Sequence, residues 1–158
     1  MNLVVNDDIR LESISKETTE ALFPLFMEDI VELNRWFGFD PDYSIKNDYQ
    51  YLEERKLPYD DAIVVIYRGV PCGRFGLYDY TPKESSLYMY YWISSHYRRK
   101  GIALAAMGSI LEYLQQLHVK EVLFDVDREN TSSIKLLEHY PNIRLKSQEK
   151  RLIYSSLL

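Results

Sequence analysis

The stretch HYRRKGIA, residues 96–103, holds the chain's clearest chemical signal. Arg98, Arg99 and Lys100 stand side by side directly before Gly101, which opens an apolar run with helical spacing. A helix N-terminus is the positive end of its dipole, so cations there are mildly repelled, by roughly 0.3–1 kcal/mol each. The same end offers main-chain N–H groups with no partner inside the helix, and a glycine lets a ligand come close to the backbone. Main chain at Gly101, Ile102 and Ala103 flanked by three cations therefore points to an anion site, a cradle for a pyrophosphate. A run of three cations is otherwise a solvated patch; the dipole and the glycine weigh against that.

Several other chemistries lack their residues. There is no GxxxxGK(S/T) phosphate loop, no GxGxxG, no HExxH and no GxSxG elbow, and Gly69, Gly73 and Gly76 have the wrong spacing for a dinucleotide fold. His96, His118 and His139 are scattered, and Cys72 is the only cysteine, so neither an internal disulfide nor a metal site is expected. A net charge of −5 argues against general affinity for nucleic acid or an anionic membrane and suits a cationic or amine-bearing partner. No apolar run reaches the ~18 residues of a membrane span, and MNLVVNDDIR lacks the basic start and apolar core of a signal peptide. With a lone cysteine, the expected setting is the reducing cytoplasm.

The elements that must position HYRRKGIA follow from periodicity. At 158 residues and 46% hydrophobic content, one domain over residues 1–158 is expected. IRLESI alternates as a first strand, and KETTEALFPLFMEDIVELNRWF reads as helix interrupted near Pro24. SIKNDYQYLEER is a further helix capped by Ser44. DAIVVIYRGVPCGRFGLYDY is a hairpin turning at Arg68-Gly69, and SSLYMYYWISS continues the antiparallel run. From Gly101 the period becomes helical, with Ala103, Ala106, Ile110, Tyr113 and Leu117 in one stripe and Leu104, Met107, Leu111 and Leu114 beside it. EVLFDVD is then a strand, Asn130 to Tyr140 a short helix stopped by Pro141, and the last residues a pair of strands. The fold class is mixed α/β (α+β), with a mostly antiparallel central sheet flanked by helices and one β-α-β crossover.

Arg98-x-x-Gly101-x-Ala103 after YYWIS resembles the acetyl-coenzyme A signature of the GNAT superfamily of acyltransferases, R/Q-x-x-G-x-G/A, which wraps the cofactor's pyrophosphate. VDRENTSSIKLLE is similar to that family's V-x-x-x-N-x-x-S-x-x-L-L-E. LNRWFGF and IRLKS resemble the RimJ/RimL-like branch, which acetylates α-amines of ribosomal proteins and includes relatives acting on small amines. The likeness runs from IRLESI to the last strand.

This resemblance implies two central strands that splay apart, with pantetheine between them and its amides bonded by main chain around Ile93. It implies that Asn130 bonds the pantetheine arm; as a residue type Asn130 equally suits a helix cap. It implies that Ser133, on the same helix face, protonates the departing coenzyme A thiolate. A neutral amine would attack the thioester directly, without an acyl-enzyme. Two departures stand out. The strand LYMYYWIS carries no carboxylate where relatives place a base, leaving Asp79, Glu84 and Asp125 as candidates through water, and HYPNI puts Pro141 where the branch has glycine. Trp36, Phe37, Tyr43, Tyr78, Tyr80, Tyr88 and Tyr90, with Asp29, Glu32, Asp40 and Asp42, form either a wall for a cationic amine or an aromatic core or homodimer surface. The expected function is acetyl transfer from acetyl-CoA to a primary amine, on a protein N-terminus, a polyamine or another small molecule. The competing reading is a sensor or scaffold that holds acyl-CoA without turnover, which the missing strand carboxylate would favour.

Overall fold

Runs of alternating or continuous apolar residues set most of the eight strands, and a single sheet gathers all of them. The computed structural model describes all 158 residues. The order is β1 (Asn2–Val4), β2 (Ile9–Ser13), α1 (Lys16–Glu28), α2 (Ile30–Phe37), α3 (Ile45–Glu54), β3 (Asp61–Tyr67) and β4 (Val70–Thr81). There follow β5 (Ser86–Ile93), α4 (Ile102–Gln116), β6 (Glu121–Val126), α5 (Thr131–Glu138), β7 (Ile143–Ser147) and β8 (Leu152–Leu157). Across the sheet the strands lie β1-β2-β3-β4-β5-β6-β8-β7. Only β5 and β6 are parallel, joined by the α4 crossover; every other pair is antiparallel.

The sheet separates two cores. DAIVVI of β3 is buried on both faces: Ile63 and Val65 pack into a cluster with α4, while Ala62, Val64 and Ile66 join Leu22, Phe26 and Leu33 of α1 and α2. Continuous apolar character is what a doubly covered strand requires. α4 buries Ile102, Ala106, Met107, Ile110, Leu111 and Leu114, which fixes its N-terminus at the end of β5.

Two details depart from expectation. β1 was not legible because three residues of NLV carry no period; they are held by pairing Leu3 to Leu11. α1 runs through Pro24 without stopping; that residue is exposed, and so is Glu20, whose carbonyl loses its N–H partner. The break falls at Asp29, whose carboxylate turns inward instead. No helix is long and apolar enough to cross a membrane.

The feature that creates a site is a seam in the sheet. β5 and β6 pair only at Ser86–Glu121, Leu87–Val122 and Tyr88–Leu123. Beyond these, Met89 to Ile93 of β5 and Phe124 to Val126 of β6 run on without pairing to each other. The other edge of β5 is held tightly to β4. A Cβ added at Gly73 would lie 2.4 Å from the Trp92 carbonyl oxygen and 2.9 Å from Ile93 Cα, both main chain. Gly73→Ala is expected to force the strands apart and lower stability by about 1–3 kcal/mol, the range of overpacked cores. Denaturant titration checks this, and an unchanged midpoint would mean that the two strands have slack here.

Candidate active site

Beside the unpaired end of β5, against α2 and the N-terminal ends of α4 and α5, lies a cavity of about 330 Å³. Ile93, Arg98, Arg99, Gly101, Ile102, Ala103, Asn130 and Ser133 all line it; of the residues the sequence assigns to cofactor binding or to the proton donor, Lys100 alone does not. Leu33, Trp36 and Phe37 of α2 and Leu104 and Leu136 add apolar walls. A second, smaller chamber of about 30 Å³ continues past Tyr91, Asn130 and Ser133 to Asp125, Asp127 and Arg151. Its volume suits a water or an amine group rather than a bulky one.

The loop from β5 to α4 leaves the start of a helix open. Arg99 and Gly101 both adopt left-handed backbone, φ 62 and 74, the conformation that makes anion-binding concavities of main-chain N–H groups elsewhere. A Cβ at Gly101 would meet nothing within 4 Å, so glycine serves the conformation and leaves the approach clear. No side chain caps α4, and its first backbone bond is from Ala105 N–H to the Gly101 carbonyl at 3.0 Å. The N–H groups of the first turn are thus left without helical partners.

The three cations divide their work. Arg98 turns away from the loop mouth: its Nε donates to the Ile93 carbonyl at 2.9 Å, and one terminal nitrogen donates to both Glu32 oxygens at 2.9 and 2.8 Å. Its other terminal nitrogen reaches Asp29 at 3.5 Å. Asp29 also accepts from Trp92 Nε1 at 3.0 Å and from Ser95 N–H at 2.8 Å, so it pins the loop to the α1–α2 junction. Burial pushes the Asp29 carboxyl up, but the bonds from Ser95 and Trp92 and the Arg98 charge outweigh it and hold it below its ordinary value. Arg99 and Lys100 are exposed and take part in no ion pair within the chain.

Asn130 is the N-cap of α5, with Oδ1 accepting from Ser133 N–H at 3.2 Å. Ser133 Oγ accepts a hydrogen bond from Tyr91 Oη at 3.0 Å, which bridges the seam from β5 to α5. Sequence reasoning passed over Tyr91. Strand alternation puts it on the face opposite Tyr88 and Tyr90, which was the available signal.

The matching family model is that of the acetyltransferase (GNAT) domain, over residues 8–140. The chain belongs to the GNAT acetyltransferase family. A comparison with curated proteins gives no match. Among solved structures, this GNAT chain is similar to an acetyl transferase from Salmonella typhimurium that modifies the N-terminal serine of 50S ribosomal subunit protein L7/L12. The TM-score is 0.85 at 12% identity, covering 100% of this chain and 99% of that one. The microcin C7 self-immunity acetyltransferase MccE, in complex with acetyl-CoA and AMP, gives a TM-score of 0.78 at 16% identity over 98% and 94% of the chains. RimJ of Mycobacterium smegmatis, in complex with CoA-disulfide, gives 0.79 at 19% over 94% and 81%. At these identities the likeness is one of fold.

In this GNAT domain the aromatic and acidic residues of the acceptor side divide between the two readings, most of them engaged within the chain and a few reaching the chambers. Asp29 and Glu32 are taken by Arg98, and Asp40 Oδ1 accepts from Asp42 N–H within its own turn, at 2.8 Å. Tyr43 donates to Asp48 at 2.6 Å, and Tyr80 stacks on Tyr59 with centroids 3.9 Å apart. Of the aromatic set, Trp36, Phe37 and Tyr90 reach the chambers, with Phe37 edge-on to Tyr90 at 5.9 Å. Of the three candidate bases, only Asp125 lines a chamber; Asp79 and Glu84 belong to the β4–β5 hairpin. α2 is tied across the cleft by Arg35, which donates to Glu129 at 2.7 Å.

Proposed function

We propose that residues 1–158 form one acetyltransferase domain that transfers an acetyl group from acetyl-CoA to a primary amine, with a protein N-terminus or a small amine as acceptor. The observation that carries this reading is the convergence of uncapped N–H groups at α4 and the unpaired edge of β5 on one cavity ending at Ser133. When bound, acetyl-CoA supplies an acyl group already activated as a thioester.

Each residue then has work fitted to its placement. Main chain at Gly101, Ile102 and Ala103 holds the pyrophosphate, with Arg99 and Lys100 adding positive charge. Arg98 shapes that loop from behind. Main chain at Met89 to Ile93 bonds the amides of the pantetheine arm, and Asn130, its Oδ1 engaged in the cap, offers its amide hydrogens to the same arm. Ser133 gives a proton to the leaving sulfur, and Asp125, one oxygen of which accepts from Arg151 Nε, receives the amine proton on its other oxygen through a water in the far chamber. A backbone N–H of β5 stabilises the developing oxyanion. The single cysteine, Cys72, is buried and suits a reducing, cytoplasmic setting.

RimL-type relatives, such as the one that modifies a ribosomal N-terminal serine, favour a protein N-terminus as acceptor. The test is a panel of peptides beginning with serine or alanine, together with spermidine and other small amines, read by free thiol release from acetyl-CoA. Release with none of them would overturn the acceptor class.

Binding is tested separately by heat. A ligand at ~100 times its dissociation constant adds about 2.7 kcal/mol to stability, which for a chain of this size raises the melting temperature by about 5–10 °C. Dephospho-coenzyme A and adenosine should do less. Failure of millimolar coenzyme A to shift the melting point would remove the cofactor assignment.

A further inference from the structure

The Tyr91–Ser133 hydrogen bond has no part in the roles above, yet it is the one side-chain bond from β5 to α5 across the seam. Tyr91 sits opposite Phe75 in the β4–β5 register, and the two rings stack at 5.4 Å with planes 25° apart. Its ring position is therefore set by the sheet. Burial pushes its hydroxyl up from the ordinary tyrosine value and outweighs the Arg98 charge, which pulls it down. It stays a neutral donor at physiological pH.

A serine hydroxyl has one hydrogen and two lone pairs. Tyr91 fills one lone pair of Ser133, and the serine's own hydrogen has no acceptor in the chain. Ser133 lines both chambers, so that hydrogen is free for a group lying between them. A hydroxyl that accepts a hydrogen bond is also a stronger donor, because the bonds polarise one another. Without the tyrosine, the serine would be free to sample its three staggered rotamers.

We propose that Tyr91 is a positioning residue: by donating to Ser133 Oγ it fixes the serine rotamer and aims the serine O–H at the sulfur end of the bound cofactor. This rests on the reading of Ser133 above, so the test separates the two. It also avoids the unidentified acceptor by titrating the thiol of bound coenzyme A itself. The readout is thiolate ultraviolet absorbance, taken as the difference between complexes with coenzyme A and desulfo-coenzyme A.

In the wild type the bound thiol is expected to ionise at lower pH than free coenzyme A. Ser133→Ala should raise that midpoint by about 1 on the pH scale, as for loss of a hydrogen bond to a charged group. Tyr91→Phe, which keeps the ring stack and should keep the melting temperature, should raise it by about half as much. The double variant should match Ser133→Ala alone, since the tyrosine acts through the serine.

A midpoint moved by Ser133→Ala and untouched by Tyr91→Phe would overturn the proposal and leave the serine's role standing. Tyr91→Phe shifting the midpoint equally with and without Ser133 would also overturn it, because the effect would not pass through the serine. If coenzyme A binds and neither variant moves the midpoint, both the serine's role and the proposal fall.

Discussion

Gly101→Asp is expected to remove measurable coenzyme A binding while the protein stays folded. The substitution places a carboxylate at the mouth of the loop, beside the uncapped N–H groups of the first turn of α4. Like charges about 4 Å apart at an effective dielectric of about 20 repel by about 4 kcal/mol, so the affinity loss should be on the order of 10²–10³-fold. The left-handed backbone at this position, φ 74, adds strain for any side chain, which calls for a control. Asn is the apt one: like Asp it tolerates left-handed backbone, and it carries no charge. Gly101→Asn should lose far less affinity, and the difference between the two isolates electrostatics. Calorimetry with coenzyme A reads both. Equal affinity in Gly101→Asp and wild type would place the anion site elsewhere.

Ser133→Ala should lower turnover by roughly the 10²–10⁴-fold typical of a lost general acid, with little change in cofactor affinity. The geometry makes this a clean substitution. The Asn130 cap is bonded to Ser133 through its main-chain N–H, which alanine retains, so α5 should start in the same place. Tyr91 loses its acceptor but borders the cavity, where water can replace it. Single-turnover rates with the best amine of the panel decide the matter. Full activity with chemistry shown to limit the rate would return Ser133 to the status of an ordinary helical residue.

What the sequence disclosed, it disclosed through spacing. The hairpin at Arg68-Gly69, the long apolar α4 and the order of strands are periodic features, and the sheet follows them. The signature at Arg98 to Ala103 and the pair Asn130 and Ser133 are also local patterns, and all but Lys100 converge on one cavity. The misses are contacts between distant residues. Nothing near Arg98 reveals that Asp29 and Glu32, more than sixty positions earlier, take its guanidinium. Tyr91 meets Ser133 42 positions later, a pairing that depends on how far two strands diverge. Pro24 misled for a related reason, because whether a proline breaks a helix depends on what its neighbours face.

The seam between β5 and β6 has a consequence for what the cleft will admit. It is a sheet edge turned inward, with α4 and α5 standing over its mouth. An ordinary polypeptide strand would bring side chains to both faces at every second residue, and between two covering helices those side chains have nowhere to go. A thin chain bearing amides but no substituents can use the same main-chain groups without that collision. As the binding place of such a chain the gap would act as a sieve on molecular girth, and the helices over it protect an exposed edge from the strand-to-strand aggregation that such edges otherwise invite.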